Sequence, residues 1–167
     1  MIVALIEPIT LENIEAFKAA RLRALLDSPS AFGSTYARES MMSAVEWVQR
    51  VIRWNGTLGV GFLAVEQRVI CGIAGALLDE KDLKQAQLVS MWTAPEHRQL
   101  GVGRMLVEAV IGWARNSGVE RLNLMVTSPN QGAILFYQRL GFAMTGQSEP
   151  YPNDPGLVQL EMSRSIL

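Results

Sequence analysis

The spacing of hydrophobic and polar positions changes period along the chain, and the changes mark out its elements. Ile2 to Ile6 reads as a strand ended by Glu7-Pro8. Thr10 is placed to cap a helix from Leu11 to about Leu26, with Leu11, Ile14, Phe17, Leu22 and Leu25 spaced for one buried stripe. Asp27-Ser28-Pro29-Ser30 stops that helix, and Ala31 to Ser40 reads as irregular. Ser43 to about Arg53 predicts a second helix with Val45, Val48 and Ile52 on one side. Leu58 to Glu66 and Val69 to Leu78 alternate as the strands of a hairpin joined by Gln67-Arg68, and Asp79 to Lys84 reads as a charged loop. Leu88 to Trp92 is an apolar strand leading into a helix. Arg121 to Thr127 is a strand leading into another, which ends at Gly141. A strand from Phe142 to about Gln147, a Pro-rich loop through Tyr151 to Pro155 and a last strand from Leu157 to Met162 complete the chain. This order, β-α-α-β-β-β-α-β-α-β-β, predicts a mixed α/β fold with a partly antiparallel sheet, in a single domain over residues 1–167.

Composition narrows the classes. With 49% hydrophobic and 19% charged residues among 167, the chain has the make-up of an ordinary globular domain that needs no staples. A formal charge of −1 and the lack of a basic cluster give no support for nucleic-acid binding. No run approaches a membrane span, and no basic segment followed by a long apolar stretch suggests a signal peptide. The one cysteine, Cys71, lies in an apolar setting and predicts a buried, inert thiol in a reducing cytoplasm. A single His and a single Cys also speak against a zinc site, so no metal is expected.

Two motifs carry the chemistry. Arg98-Gln99-Leu100-Gly101-Val102-Gly103-Arg104 links the Leu88–Trp92 strand to the following helix. Its two glycines let the backbone come close to a ligand, and the helix start adds unpaired N–H groups and a positive dipole end, which together suit a phosphate or pyrophosphate. It is not the triphosphate loop, because Arg104-Met105 rather than Lys-Ser/Thr follow Gly103. Nor is it the dinucleotide fingerprint, because Leu106 stands where the third glycine belongs. The second motif is Asn130-x-x-Ala133-x-x-Phe136-Tyr137-x-x-Leu140-Gly141-Phe142. There Ser128 is expected as N-cap, Pro129 at the first helical position and Gln131 closing a capping box.

In this order, the two motifs resemble those of the GNAT superfamily of acyl-CoA-dependent N-acetyltransferases. The resemblance implies the GNAT fold: a mostly antiparallel central sheet of about seven strands flanked by four helices. It also implies acetyl-CoA as co-substrate. The amides of Leu100, Gly101, Val102, Gly103 and Arg104 would take its pyrophosphate, with Arg98 and Gln99 in the same loop, and Arg98 would fix the loop or face the phosphates. The backbone of Met91, Trp92 and Thr93 would pair with its pantetheine arm, and Asn130 would contact it. Tyr137 is similar to the tyrosine that faces the thioester sulfur and protonates the leaving thiolate. The strand before the loop, Gln87 to Trp92, carries no carboxylate, so the base stays open between Glu39, Asp79, Glu80, Glu161 and a chain of waters. His97, the one histidine, is expected at the phosphate rim.

The implied activity is transfer of acetyl from acetyl-CoA directly to a primary amine. The alternative is a catalytically silent acyl-CoA-binding or sensing module of the same fold. The acceptor, a small molecule or a peptide amine, is expected between residues 30–40, the Asp79–Lys84 loop and the Glu149–Gly156 loop, where Phe32, Tyr36, Glu39 and Tyr151 would meet it. Homodimers are an expectation by family analogy.

Overall fold

The computed structural model describes residues 4–167, so Ile2 and Val3 of the expected first strand lie outside the described residues. Seven strands form one sheet in the order β1-β2-β3-β4-β5-β7-β6. They are β1 (Leu5–Pro8), β2 (Gly59–Glu66), β3 (Val69–Asp79), β4 (Asp82–Thr93), β5 (Arg121–Thr127), β6 (Ala143–Tyr151) and β7 (Asp154–Ser165). The helices are α1 (Ile14–Asp27), α2 (Tyr36–Glu39), α3 (Ala44–Arg53), α4 (Val102–Asn116) and α5 (Gln131–Arg139). Every neighbouring pair is antiparallel except β4–β5.

Two apolar clusters sandwich the sheet. Val102, Leu106 and Val110 of α4 pack with Ala74, Ala76, Leu122 and Leu124, and Ile134 and Tyr137 of α5 join them. On the other side Phe17 and Leu25 of α1 and Trp47 and Val51 of α3 pack with Trp54, Leu63, Ile73 and Trp92. Phe17 sits at the centre of the second cluster, 5.9 Å from the Trp47 ring and 5.4 Å from that of Trp54. The Trp54 ring lies flat enough on the sheet that a Cβ at Gly61 would stand 2.2 Å from its Cε3. Only a glycine strand admits the indole there.

Several expectations are corrected, each for a local reason. The buried side of α3 is Trp47–Val51, four residues apart, while Val45 and Ile52 are 64% and 51% exposed. Wide indole surface outweighs β-branched side chains in choosing the face. In α1 the buried residues are Phe17, Ala20, Arg21, Ala24 and Leu25, and Leu11, in a 3-10 turn, is exposed. A fifth helix, α2, forms in the segment read as irregular, because Thr35 caps it by accepting from Arg38 N–H at 3.2 Å. The supposed loops at 79–84 and 149–156 are hairpin turns: Asp79 pairs with Asp82, and Tyr151 with Asp154. In the first of them Asp79 itself accepts from Lys81 N–H, the turn's own polar side chain closing it. The N-cap of α5 is Asn130, which accepts from Ala133 N–H at 3.2 Å; Gln131 donates to the Ser128 carbonyl instead.

One feature of the sheet positions everything that follows. Strands β4 and β5 pair only at Gln85↔Arg121, Ala86↔Leu122 and Gln87↔Asn123. Beyond that, β4 runs on against β3 to Thr93 while β5 runs on against β7 to Thr127. The two strands therefore splay, and residues 88–93 turn one backbone edge toward an open gap.

Candidate active site

The splay is set by a bulge. Ile73 faces Trp92 and Gly75 faces Val89, so Ser90 and Met91 together oppose one residue of β3. An extra residue bends its strand and re-aims the groups around it. Ser90 takes φ 59, a conformation that costs a non-glycine residue free energy unless its surroundings hold it. Here they do: Arg21 donates from Nη1 to Ser90 Oγ at 2.9 Å, and Glu39 anchors Arg21, accepting from its Nε at 2.9 Å.

A cleft of about 1640 Å³ occupies the gap. Its walls include Leu88 to Thr93 on one side and Leu124 to Thr127 on the other. It runs roughly 20 Å from Gln87 to Thr93 at the rise of a strand. At the Thr93 end lies the glycine turn. Gly101 takes φ 90 and starts α4, so a side chain there would be strained although nothing stands within 4 Å. The first bond closing α4 runs from Met105 N–H to the Gly101 carbonyl at 3.1 Å. The amides of Val102, Gly103 and Arg104 are thus first-turn donors with no partner in the helix, at its positive end. Gly103 lines the cleft between Met91 and Phe136: a Cβ would stand 3.2 Å from Met91 Cε and 3.1 Å from Phe136 Cζ. Main chain and small residues thus form a cradle fitted to a phosphorylated ligand.

Not all of the loop faces the cleft. Arg98, Gln99, Gly101, Gly103 and Arg104 line it, whereas Val102 turns its side chain into the core and Leu100 is half exposed outside it. Arg98 serves as a tie. Its Nε donates to the Thr93 carbonyl at 3.1 Å and its guanidinium pairs with Asp27, which also accepts from Trp92 Nε1 at 2.9 Å. Partial burial raises the Asp27 carboxyl, but hydrogen bonds from Trp92, Ser28 and Arg98 outweigh it and hold the group below its ordinary value.

Of the remaining expected coenzyme contacts, Met91, Trp92, Thr93 and Asn130 all line the cleft. The Trp92 ring is buried on the α1 side, so only its backbone serves the gap. Tyr137 lines the cleft from α5, its ring clamped between Phe136 at 5.1 Å and Phe142 at 5.7 Å. Burial pushes its hydroxyl well above the ordinary phenol value, so it holds its proton throughout the neutral range. Cys71 is fully buried, and burial first, then the Glu66 charge, raises its thiol; it is no nucleophile. His97 is placed against Glu66, 2.7 Å from Nε2 to Oε2, and does not line the cleft.

The four residues expected to meet the acceptor divide. Phe32 and Tyr151 line the cleft together: the Tyr151 hydroxyl hydrogen-bonds to the Phe32 carbonyl, and Asn153 Nδ2 donates to the same carbonyl at 3.1 Å. These bonds dock the β6–β7 hairpin tip on the loop after α1. Tyr36 does not line the cleft. Glu39 is fully buried between Arg21 and Arg50 and presents nothing to the cleft surface. A carboxylate taken from water needs such partners, and they bury it.

Five further residues line the cleft: Arg21, Arg50, Arg53 and Ser90, which sequence reasoning did not assign to it, and Glu149, which it gave only as the start of a loop. Arg21 left one readable signal, a charge in register between Phe17 and Leu25 on the buried side of α1. Glu149, which accepts from Gln159 at 2.6 Å, is the one cleft-lining carboxylate apart from Asp27 among the described residues. The candidate bases Asp79, Glu80 and Glu161 do not line it. No group of three potential metal ligands occurs among the described residues, and no helix there is long and apolar enough to cross a membrane.

Comparison with known proteins bears on this geometry. Human N-acetyltransferase 8 is 33% identical over 90 residues, which is 52% of this chain and 40% of that protein. The chain thus spans well under half the length of such curated relatives. An acetyltransferase of the GNAT family from Streptococcus pneumoniae superposes with a TM-score of 0.82 at 22% identity, over 99% of this chain and 100% of that one. A putative acetyltransferase from Salmonella typhimurium, solved with its cofactor acetyl-CoA, superposes with a TM-score of 0.79 at 17% identity, over 99% and 95% of the two chains. The acetyltransferase (GNAT) family itself matches residues 24–142, from the end of α1 through the glycine turn to the end of α5, and this chain belongs to it.

Proposed function

We propose that the protein transfers an acetyl group from acetyl-CoA directly to a primary amine, with both substrates bound at once. The observation that carries this reading is the gap between β4 and β5, ending in a cradle of unpaired amides at Gly101–Arg104. Bound there, acetyl-CoA supplies an activated thioester carbonyl. The amides of Val102, Gly103 and Arg104 bind its pyrophosphate, and Arg98 holds the loop to Asp27 rather than meeting the phosphates. The open edge of Met91–Thr93 offers main-chain groups to an amide-bearing arm, as an added strand would use them. An N–H at the Ser90–Met91 bulge stabilises the carbonyl oxygen as negative charge develops.

The chemical step forms a bond from the amine nitrogen to the acetyl carbon and breaks the carbon–sulfur bond. Tyr137 donates its proton to the departing sulfur. Among the cleft carboxylates Asp27 is committed to Arg98 and Trp92, which leaves Glu149 to accept the proton the amine loses. The buried Cys71 does not line the cleft and Ser90 Oγ accepts from Arg21 with no general base beside it among the described residues, so this scheme uses no acetyl-enzyme.

Steady-state assay of wild type and Tyr137→Phe on a broad amine panel tests the reading. Turnover that falls sharply in the variant, with acetyl-CoA affinity kept, supports it. Acetyl-CoA binding without acetylation of any amine would favour a binding module.

A further inference from the structure

The acceptor end of the cleft is lined by arginines. Arg21, Arg50 and Arg53 line it beside Trp54, Leu77 and Gln87, at the opposite end of β4 from the glycine turn. One buried carboxylate, Glu39, is shared by Arg21 and Arg50. Arg53 makes no ion pair among the described residues. Burial, and then the charges of Arg21, Arg53 and Arg38, lower the Arg50 guanidinium to about 10, which leaves it charged at neutral pH. Besides the shared Glu39, the carboxylates among the cleft's described lining residues are Glu149 on the far wall and Asp27, which is committed to Arg98 and Trp92. The wall therefore carries more positive charge than its own acids neutralise.

From this we infer, on the strength of the acetyltransfer reading, that the acceptor is an amine bearing a carboxylate, an amino acid in chemical class, whose acid group pairs with Arg50 and Arg53 while its amine reaches the bulge at Ser90–Met91. A guanidinium fork matches a carboxylate with two parallel hydrogen bonds and is less strongly hydrated than an ammonium, so it suits a wall on which Arg50 is partly buried and Arg53 exposed. The same charges act on the nucleophile. Positive neighbours disfavour an ammonium and favour the free amine that attacks, which lightens the task of the base. A polyamine would meet the opposite field: each added cation is repelled by the wall and finds one carboxylate, Glu149, across the cleft. Phe32, itself buried, has the Arg21 guanidinium stacked on its ring at 4.6 Å and so holds that charge in place on the cleft wall.

The test is calorimetric binding to the coenzyme A-saturated protein, using matched ligands: leucine, leucinamide, isoamylamine and spermidine. Acetylation of each is measured in parallel. Leucine binds tightest, and Arg53→Glu weakens it by about tenfold or more while raising the relative affinity for spermidine. Arg50→Gln acts in the same direction, and Arg53→Glu, which breaks no ion pair, keeps the test open should Arg50→Gln fail to fold. Acetyl-CoA affinity is unchanged in Arg53→Glu. Preference for spermidine or isoamylamine over leucine overturns the inference, as does a loss of acetyl-CoA affinity equal to the loss of leucine affinity. If leucine binds selectively and no amine is acetylated, the acetyltransfer reading fails and the carboxylate subsite stands on the binding data.

Discussion

At the Thr93 end of the cleft the groups that would face a ligand belong to the main chain; at the Gln87 end they are side chains brought from distant parts of the sequence. The first end is a single stretch, residues 98–104, in which two glycines and a helix start present donors that no side chain obstructs. The second needs Arg21 from α1, Glu39 from α2, Arg50 from α3 and Ser90 from β4, joined by hydrogen bonds and ion pairs. The contrast teaches where each kind of site is fragile. A main-chain cradle fails when a side chain is added, because the added atoms occupy the ligand's place. A side-chain network fails when one is removed, because the charges left behind are buried and unpaired.

The largest expected effect lies in the network. Glu39→Gln leaves Arg21 and Arg50 without their shared counter-charge, and denaturant unfolding should show a loss of about 3–5 kcal/mol. If the loss is under about 1 kcal/mol, the arginines are satisfied otherwise and the acceptor end is not built on Glu39.

Next comes the chemistry between the two ends. Tyr137→Phe keeps the ring against Phe136 and Phe142 and removes the hydroxyl, so kcat should fall about a hundredfold with KM for acetyl-CoA nearly constant. Because burial raises this phenol above its ordinary value of 10.0, the donor stays loaded through alkaline pH. A wild-type kcat that dropped from pH 9 to 10, in step with a tyrosinate absorbance, would contradict that assignment.

A smaller effect sharpens the comparison from the main-chain side. Gly101→Ala meets no atom within 4 Å but must hold φ 90, which costs about 1 kcal/mol in thermal or denaturant stability with little steric effect.

The smallest is a pH effect at the Arg98–Asp27 tie of the Thr93 end. The folded-state Asp27 carboxyl lies below its ordinary 3.8, so its contribution to stability is present above that value and is lost as pH falls through the depressed one. Melting curves of wild type and Asp27→Asn should differ by a constant amount above about pH 5 and converge in acid. A gap that widened on acidification would reverse the sign of the Asp27 shift.

The same contrast explains what could be read in advance. The glycine turn and the α5 motif are each contiguous, so strand, turn and helix are legible from spacing, while the place of Tyr137 comes from the family resemblance of the second motif. The splay between β4 and β5 was not, because it depends on which strand each pairs with beyond Gln87. Its local cause, the bulge at Ser90, looks like any polar residue in a strand. Arg50 and Arg53 read as the polar side of a helix whose buried side was itself assigned to Val45 and Ile52 rather than to Trp47 and Val51. The sequence offers Glu39 as a candidate base and acceptor contact, but its burial between two arginines, which depends on three separate helices, takes it off the cleft surface. The turns at Asp79–Asp82 and Tyr151–Asp154 read as loops in the sequence because charge and proline mark loop and tight turn equally well.

The central claim is that the amides at Gly101–Arg104 hold acetyl-CoA, and calorimetric titration of wild type and Gly103→Val with acetyl-CoA tests it most directly, with ATP as control. The account predicts saturable one-to-one binding of acetyl-CoA by wild type, none of ATP, and loss of acetyl-CoA binding in a variant that remains folded by circular dichroism. Equal acetyl-CoA binding by wild type and Gly103→Val, or none by folded wild type at saturating ligand, would contradict it.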